Sequence, residues 1–196
     1  AFYDNLSGYL CIIMEFASGG DLMRLVNQNL KSRQRIKEAE IWKALVDITR
    51  GLKSLHDKKI LHRDLKAANV FISSDSRYKL GDLNVSKVLK RGMAYTQTGT
   101  PYYASPEVWQ DQPYDMKSDI WSLGCVIYEM AALEPPFKAT DLQSLYRKVK
   151  AGVFKPIPSS YSSDLSEMVN SMLKLRPKDR PSTDDILKHP STCRHM

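Results

Sequence analysis

The sequence predicts an α+β fold in which helices predominate. Short strand-like segments lie within the first 80 residues, segments with the apolar spacing of helices occur on both sides of them, and a long loop without periodicity precedes a second helical part. The chain has 196 residues, which is enough for one domain with a sizeable core. Because it contains no repeat, low-complexity tract or flexible linker, we predict a single domain.

The first half begins with a predicted strand over residues 9–16, which follows a turn at residues 5–8. Two glycines end this strand, and a short helix is predicted from near Asp21. The clearest helix covers residues 37–56, because apolar side chains recur there at steps of three and four. These side chains are Ile41, Leu45, Ile48, Leu52 and Leu55.

Two short strands are predicted next, Val70–Ile72 and Tyr78–Leu80, joined by a polar turn. From residue 82 to about residue 107 the chain has no periodicity and is rich in Gly, Thr, Tyr and Pro. A loop of this length inside a compact domain is usually functional. Residues 119–132 are apolar on nearly all sides, which predicts a helix buried all round.

The last third of the chain predicts two further helices. Ser182 and Asp185 have the spacing of a capping box, which predicts a short helix that Pro190 stops. An amphipathic helix precedes it, marked by Leu165, Met168, Met172 and Leu175.

The composition limits the possible classes of function. No apolar run approaches the roughly 20 residues of a membrane helix, so we expect no membrane partner, and no secretory leader is recognisable. The net charge is +7, but the basic residues are scattered and no nucleic-acid-binding motif accompanies them, so we expect no nucleic-acid partner. Cys11, Cys125 and Cys193 lack metal-ligand spacing, which predicts free thiols in a reducing compartment.

The stretch HRDLKAAN at residues 62–69 carries the most specific chemical signal. It resembles the catalytic loop of protein kinases, H-R-D-L-x-x-x-N, at every fixed position. Phosphoryl transfer to a hydroxyl needs a carboxylate that orients the hydroxyl and accepts its proton, and Asp64 is placed for this role. The amide oxygen of Asn69 suits a hard Mg²⁺ ion, and Lys66 can supply a fixed positive charge near the transferred phosphate.

Two shorter motifs follow in the order found in kinases. Asp82 stands in DLN where kinases carry D-F-G, and there it would be a second Mg²⁺ ligand. Glu107 ends SPE, which stands where kinases carry A-P-E. Alone, an Asp after a strand is usually a turn residue and a three-residue match is usually chance. Because DLN and SPE follow HRDLKAAN in the order and at the spacing found in kinases, chance is a poor explanation for the three motifs together.

The resemblance to the protein kinase superfamily covers essentially the whole chain. DIWSLG at residues 119–124 is similar to the buried helix that anchors the large lobe of kinases. The resemblance implies structural roles for His62 and Asp119, and an ion pair between Glu107 and Arg180. Lys66 and GTPYY at residues 99–103 indicate serine/threonine specificity. Within the superfamily, residues 100–107, 117–137 and 155–162 resemble the NimA-related kinases.

The resemblance also implies an ATP site. Met14 would be the gatekeeper, and the backbone from Glu15 to Ala17 would be the hinge that binds adenine. Asp21 would face the ribose, and Phe71 would lie under the adenine ring. Simple core packing remains an alternative for Met14 and Phe71.

In the activation segment, the resemblance implies that Arg63 binds a phosphate. Thr96 is the first candidate for phosphorylation and Thr98 the second, because a phosphate there could pair with Arg63. Thr100 would help to form the substrate pocket. Leu83 replaces an apolar Phe, and Asn84 replaces a Gly that permits φ > 0. Asn tolerates this conformation better than most residues, so we expect Asn84 to restrict movement of the segment only slightly.

No G-x-G-x-x-G occurs in the sequence, although kinases need this loop, a strand Lys and a helix Glu to hold ATP. We therefore expect mainly the helical C-lobe of a kinase-like fold, with the hinge strand and the catalytic-loop hairpin, and with most of the N-lobe missing. Residues 1–16 would be the end of the N-lobe and the hinge strand, and residues 17–196 the C-lobe. The fragment alone would be inactive.

The expected function is transfer of the ATP γ-phosphoryl group to Ser/Thr hydroxyls of proteins, with ATP and Mg²⁺ as cofactors. A pseudokinase or scaffold that binds protein partners is an alternative, although it would be free to lose Asp64, Asn69 or Asp82. A short gene product that acts as a decoy for kinase substrates is another. The resemblance implies a cytoplasmic location, with the centrosome, basal body, cilium or nucleus as further possibilities, and leaves the oligomeric state open.

Overall fold

Two small hairpins accompany a helical body in the computed structural model, which describes residues 1–4, 6–82 and 101–196. The strands form two antiparallel pairs, β1 (Phe2–Asp4) with β2 (Tyr9–Cys11) and β3 (Val70–Ile72) with β4 (Tyr78–Leu80). The helices are α1 (Leu22–Ser32), α2 (Glu38–His56), α3 (Pro106–Trp109), α4 (Met116–Ala132), α5 (Leu142–Ala151), α6 (Ser163–Met172), α7 (Thr183–Lys188) and α8 (Pro190–Cys193). Short 3₁₀ turns cover Ala67–Asn69 and Pro177–Asp179.

The core forms around α2 and α4. α2 buries one apolar stripe against α4, β4 and α7, whereas nearly every residue of α4 is buried. Gly124 allows α4 to approach α6 closely, because a Cβ at this position would lie 2.9 Å from the Cβ of Met172. α4 is therefore packed on several sides.

An aromatic row extends the core from α4 toward α5. Trp121 stacks on Phe137, with ring centroids 5.4 Å apart. Phe154 meets the Phe137 ring edge-on at 5.6 Å and the Tyr128 ring edge-on at 5.6 Å. These offset and edge-to-face arrangements are the favoured ones for aromatic pairs, so the row gives this end of the molecule a fixed surface.

Most predicted elements are confirmed. α2 begins one residue after the predicted start, and β3 and β4 have the predicted bounds. The Asp21 carboxylate accepts the backbone N–H of Arg24 at 2.8 Å and caps α1. Ser182 and Asp185 form the predicted capping box. α4 begins three residues early, because Asp115 forms a capping box with Ser118.

The predicted strand over residues 9–16 is confirmed at its start and was predicted too long. β2 ends at Cys11 and pairs with β1, which was not predicted because its side chains point to solvent and leave no apolar pattern. Among the described residues no strand pairs with residues 12–16, and the apolar side chains there are exposed. The predicted turn at residues 5–8 is present at residues 6–8, and Asn5 lies outside the described residues.

Three helices, α3, α5 and the four-residue α8, were missed, and one was predicted too long. α5 has few buried side chains, notably Leu145 and Val149, so its apolar period is weak. α3 has only four residues, too few for a periodic pattern. Leu175 lies beyond the end of α6, because the chain leaves the helix after Met172. In the described part of the chain no helix is both long and apolar enough to span a membrane.

Candidate active site

Three polar side chains converge in the loop between α2 and β3. Lys66 Nζ donates to Asp64 Oδ2 at 3.0 Å, and Asn69 Nδ2 donates to the same oxygen at 3.1 Å. Asn69 Nδ2 also donates to the backbone carbonyl of Asp64 at 2.8 Å. The Asp64 and Lys66 side chains are 30% and 35% exposed, so the carboxylate is held in place and still accessible.

Asp119 of α4 fixes the backbone of this loop. Its carboxylate accepts the backbone N–H groups of His62 and Arg63, both at 3.1 Å. His56 Nε2 lies 2.8 Å from it, and the Tyr114 hydroxyl donates to it at 2.7 Å. Burial raises the pKa of Asp119, but these hydrogen bonds outweigh burial and hold the pKa below its usual value. The carboxylate is therefore ionised at neutral pH.

His62 lies under the loop and is buried. Its Nδ1 accepts the backbone N–H of Asp64 at 3.4 Å, which requires an unprotonated nitrogen. Burial lowers the pKa of His62 despite the nearby Asp119 carboxylate. The neutral ring therefore adds a second, weaker constraint on the backbone that carries Asp64.

The β3–β4 hairpin places Asp82 beside the loop. The N–H of Gly81 donates to the backbone carbonyl of Asn69 at 3.0 Å, so the residue that follows Gly81 is next to Asn69. A Cβ on Gly81 would lie 2.5 Å from the Phe71 ring, which explains why glycine stands there. Asp82 itself has φ of 54° and is exposed.

Of the residues that the sequence assigns to nucleotide binding, Phe71 lies in this hairpin, and Asp21 and Glu15 contact it. Asp21 and Phe71 form an isolated antiparallel bridge, although the Asp21 carboxylate already caps α1. Glu15 forms an ion pair with Lys79 of β4. Met14 is 79% exposed, whereas Phe71 is half-buried. Ala17 is also half-buried and precedes the bridge.

The donors present fit a nucleotide-bound Mg²⁺ ion. Asp82 offers a carboxylate, and Asn69 offers an amide oxygen whose partner nitrogen is fixed on Asp64. Hard oxygen donors suit Mg²⁺, which usually takes one or two carboxylates together with substrate phosphates. No cluster of three or more His, Cys, Asp or Glu side chains that could hold a metal occurs in the described ranges. An ion bound together with nucleotide phosphates would not need all of its ligands from the protein.

A buried ion pair joins Glu107 of α3 to Arg180. Arg180 binds Glu107 through two hydrogen bonds, at 2.7 and 2.8 Å, which is the pair that the resemblance implied. Ser118 donates to Glu107 at 2.7 Å. Burial raises the pKa of Glu107, but the Arg180 guanidinium and Ser118 lower it below the usual value. The pair joins α3 to the residue that follows the Pro177–Asp179 turn, and Ser118 connects it to the start of α4.

Acid is expected to destabilise the chain through Asp119 and Glu107. Both carboxyls have a lowered pKa in the folded state, so their stabilising contribution is complete above the unfolded values near pH 4 and is lost as the pH falls through the folded values. Thermal unfolding followed by circular dichroism should show a falling Tm below about pH 4.5. Asp119→Asn should reduce this slope, and an unchanged slope would exclude Asp119 as a contributor.

Several residues escaped prediction or cannot be placed. His56 and Tyr114 belong to the site only because they hold Asp119, and no motif marks them. Tyr103 donates to Glu129 at 2.5 Å and so connects the residues before α3 to α4. Thr96, Thr98, Thr100, Leu83 and Asn84 lie outside the described residues, so their roles stay predictions.

Comparison with known proteins identifies the relatives of the chain. The family model for the protein kinase domain matches residues 1–191. Serine/threonine-protein kinase Nek5 of Homo sapiens is 44% identical over 198 residues, covering 97% of this chain and 27% of its own length. Probable serine/threonine-protein kinase nek2 of Dictyostelium discoideum is 42% identical over 194 residues, covering 95% and 46%. Serine/threonine-protein kinase Nek4 of Mus musculus is 43% identical over 196 residues, covering 99% and 24%.

The chain thus spans between a quarter and a half of the length of these relatives. The similarity extends through both hairpins and the helical body, and it includes the loop in which Asp64, Lys66 and Asn69 meet. The chain belongs to the protein kinase family and is similar to serine/threonine kinases of the NimA-related (Nek) group.

Proposed function

We propose that this chain carries the catalytic loop of an ATP-dependent kinase that phosphorylates Ser and Thr hydroxyls of proteins. The observation that carries the proposal is the Asp64 carboxylate, which is accessible and yet held by Lys66 and Asn69. Its backbone is fixed in turn by a buried carboxylate of α4. A fixed carboxylate beside a fixed cation is the arrangement that phosphoryl transfer to a hydroxyl requires.

In this proposal Asp64 orients the substrate hydroxyl and accepts its proton as the oxygen attacks the γ-phosphorus. The bond between that phosphorus and the bridging oxygen of ATP breaks, and ADP leaves with the electron pair. Lys66 stabilises negative charge on the phosphoryl group during transfer. Asn69 and Asp82 would hold Mg²⁺, which when bound neutralises charge on the phosphates.

We further propose that residues 1–16 are the end of the N-lobe and the hinge strand, and that residues 17–196 are the C-lobe. In this assignment the hinge backbone from Glu15 to Ala17 binds adenine, and Asp21 lies near the ribose. Large apolar side chains of the first segment are exposed, which is unusual for a surface that faces only water. They include Phe2, Tyr3, Tyr9, Leu10, Ile13 and Phe16. The phosphate-binding elements of the small lobe would cover this surface.

The proposal is tested with a complete kinase domain that contains these 196 residues. Incubated with ATP labelled in the γ-phosphate and a mixed Ser/Thr/Tyr peptide, it should yield phosphoserine and phosphothreonine. Removing Mg²⁺ with EDTA should abolish the labelling, and added Mg²⁺ should restore it. A folded domain that transfers no phosphate under any of these conditions would favour the scaffold alternative, and phosphotyrosine as the main product would overturn the assigned specificity.

A further inference from the structure

A cationic groove lies beside α5, away from the catalytic loop. It encloses a cavity of about 740 Å³, within the range of sites that hold a large side chain or a short peptide segment. The end of α4, the segment after it, one face of α5 and the residues that follow α5 line this cavity. We call it the α5 groove.

The floor of the α5 groove is apolar and rigid. Tyr128 and Phe154 belong to the aromatic row described above, and Pro135 and Pro136 line the adjoining wall. Val153 stands at the edge of the groove with 77% of its surface exposed. Because the row continues into buried Phe137 and Trp121, the floor does not need to reorganise before an apolar group packs on it.

Positive charge predominates on the walls of the groove. Glu134 is the single carboxylate among the lining residues, whereas four lining residues are cationic. These are Lys138, Arg147, Lys148 and Lys155. The ends of α4 and α5 each contribute roughly −0.5 of an elementary charge, which is less than the net excess of the cations. The groove is therefore positive.

Groups of the chain itself compete only weakly for these four cations. Lys148 Nζ donates to the backbone carbonyl of Lys138 at 2.6 Å, and Arg147 Nη2 donates to the Ser144 hydroxyl at 3.0 Å. Arg147 also acts electrostatically on Asp141. None of the four lining cations forms an ion pair in the described part of the chain. Their charges remain available to an anionic partner.

We propose that the α5 groove docks an acidic peptide segment of a partner protein, with one large apolar side chain seated on the Tyr128–Phe154 floor. Carboxylates on both sides of that side chain would face the wall cations. The floor supplies affinity through apolar burial, and the walls select acidic over neutral segments. The inference goes beyond the proposed phosphoryl transfer and does not depend on it, because it concerns binding at a separate surface.

The test is binding of a fluorescent peptide, with one phenylalanine flanked by glutamates, to the full chain. Fluorescence anisotropy should give saturable binding that weakens from about 0.1 M to about 1 M salt, as the Debye length falls from about 10 Å to about 3 Å. Replacing the phenylalanine by alanine, or the glutamates by glutamines, should each weaken binding by about tenfold. Loss with one change only would overturn the combined apolar and acidic recognition.

A matched pair of double variants tests whether the peptide binds in the α5 groove. Arg147→Glu with Lys155→Glu should weaken binding by about tenfold or more, because two attractions become repulsions. Lys31→Glu with Lys178→Glu changes the net charge equally on residues that do not line the groove, and it should have at most a twofold effect. Circular dichroism melting checks that both variants fold.

Three outcomes would overturn the proposal. One is equal weakening by the two charge-reversed variants, which would mean general attraction to a basic protein. Another is the absence of binding to the folded parent chain. The third is tighter, phenylalanine-independent binding of a short single-stranded RNA that the groove variant abolishes, which would assign the surface to nucleic acid.

Discussion

Replacing Asp64 by asparagine is expected to lower kcat for phosphoryl transfer by about 10²- to 10⁴-fold, the usual contribution of a positioned proton acceptor. The asparagine oxygen can still accept the hydrogen bonds that Lys66 and Asn69 now give to the carboxylate. The backbone hydrogen bonds to Asp119 do not involve this side chain. The variant should therefore fold normally and lose chiefly the capacity to accept the substrate proton.

The measurement is steady-state phosphorylation of a serine peptide by the complete kinase domain, with the Tm recorded in parallel. Asp111→Asn is the control, because Asp111 is exposed and has φ of 55°, a conformation that asparagine tolerates. The control should keep parental kcat. If Asp64→Asn kept kcat within about threefold of the parent, proton transfer to Asp64 would not be part of the reaction.

The second large effect is on stability. Arg180→Met is expected to lower the free energy of unfolding by about 3–5 kcal/mol, because it leaves Glu107 buried without its partner. The Arg180 side chain is fully buried, and it also donates to the backbone carbonyls of Lys117, Lys174 and Leu175. Its loss therefore removes these three hydrogen bonds as well as leaving one uncompensated charge.

Urea unfolding of the chain measures this effect. Arg176→Met is the control, since Arg176 forms an exposed ion pair with Asp179 and should cost at most about 1 kcal/mol. Combining Arg180→Met with Glu107→Leu should recover part of the loss by removing the unpaired charge, but the three carbonyls stay without their donor. Equal destabilisation by Arg180→Met and Arg176→Met would contradict a structural role for the buried pair.

The sequence predicted the helix α2 and the catalytic-loop residues for different physical reasons. Burial of one face imposes a period on α2, and this period is visible without any knowledge of the partner. Phosphoryl transfer requires particular groups at a fixed spacing, so HRDLKAAN is visible as chemistry. Both signals are local, and both match what the structure brings together: a stripe of α2 in the core, and three side chains within hydrogen-bonding distance.

The remaining features depend on contacts between distant parts of the chain. His56 reaches Asp119 across 63 residues, and nothing near either residue in the sequence announces the contact. β1 is held by backbone pairing with β2 and exposes its side chains, so it leaves no apolar pattern. α5 buries too little to show a helical period, although it carries Arg147 and Lys148, two of the four cations that make the α5 groove positive.

The attachment of the catalytic loop to Asp119 has a dynamic consequence. Loops usually open at low free-energy cost, independently of the core. Here the N–H groups of His62 and Arg63 are bound by a carboxylate at the start of the most buried helix. Freeing them would remove two hydrogen bonds from the buried, ionised Asp119 carboxylate. The backbone around Asp64 is therefore expected to open together with the core and to share its cooperative stability.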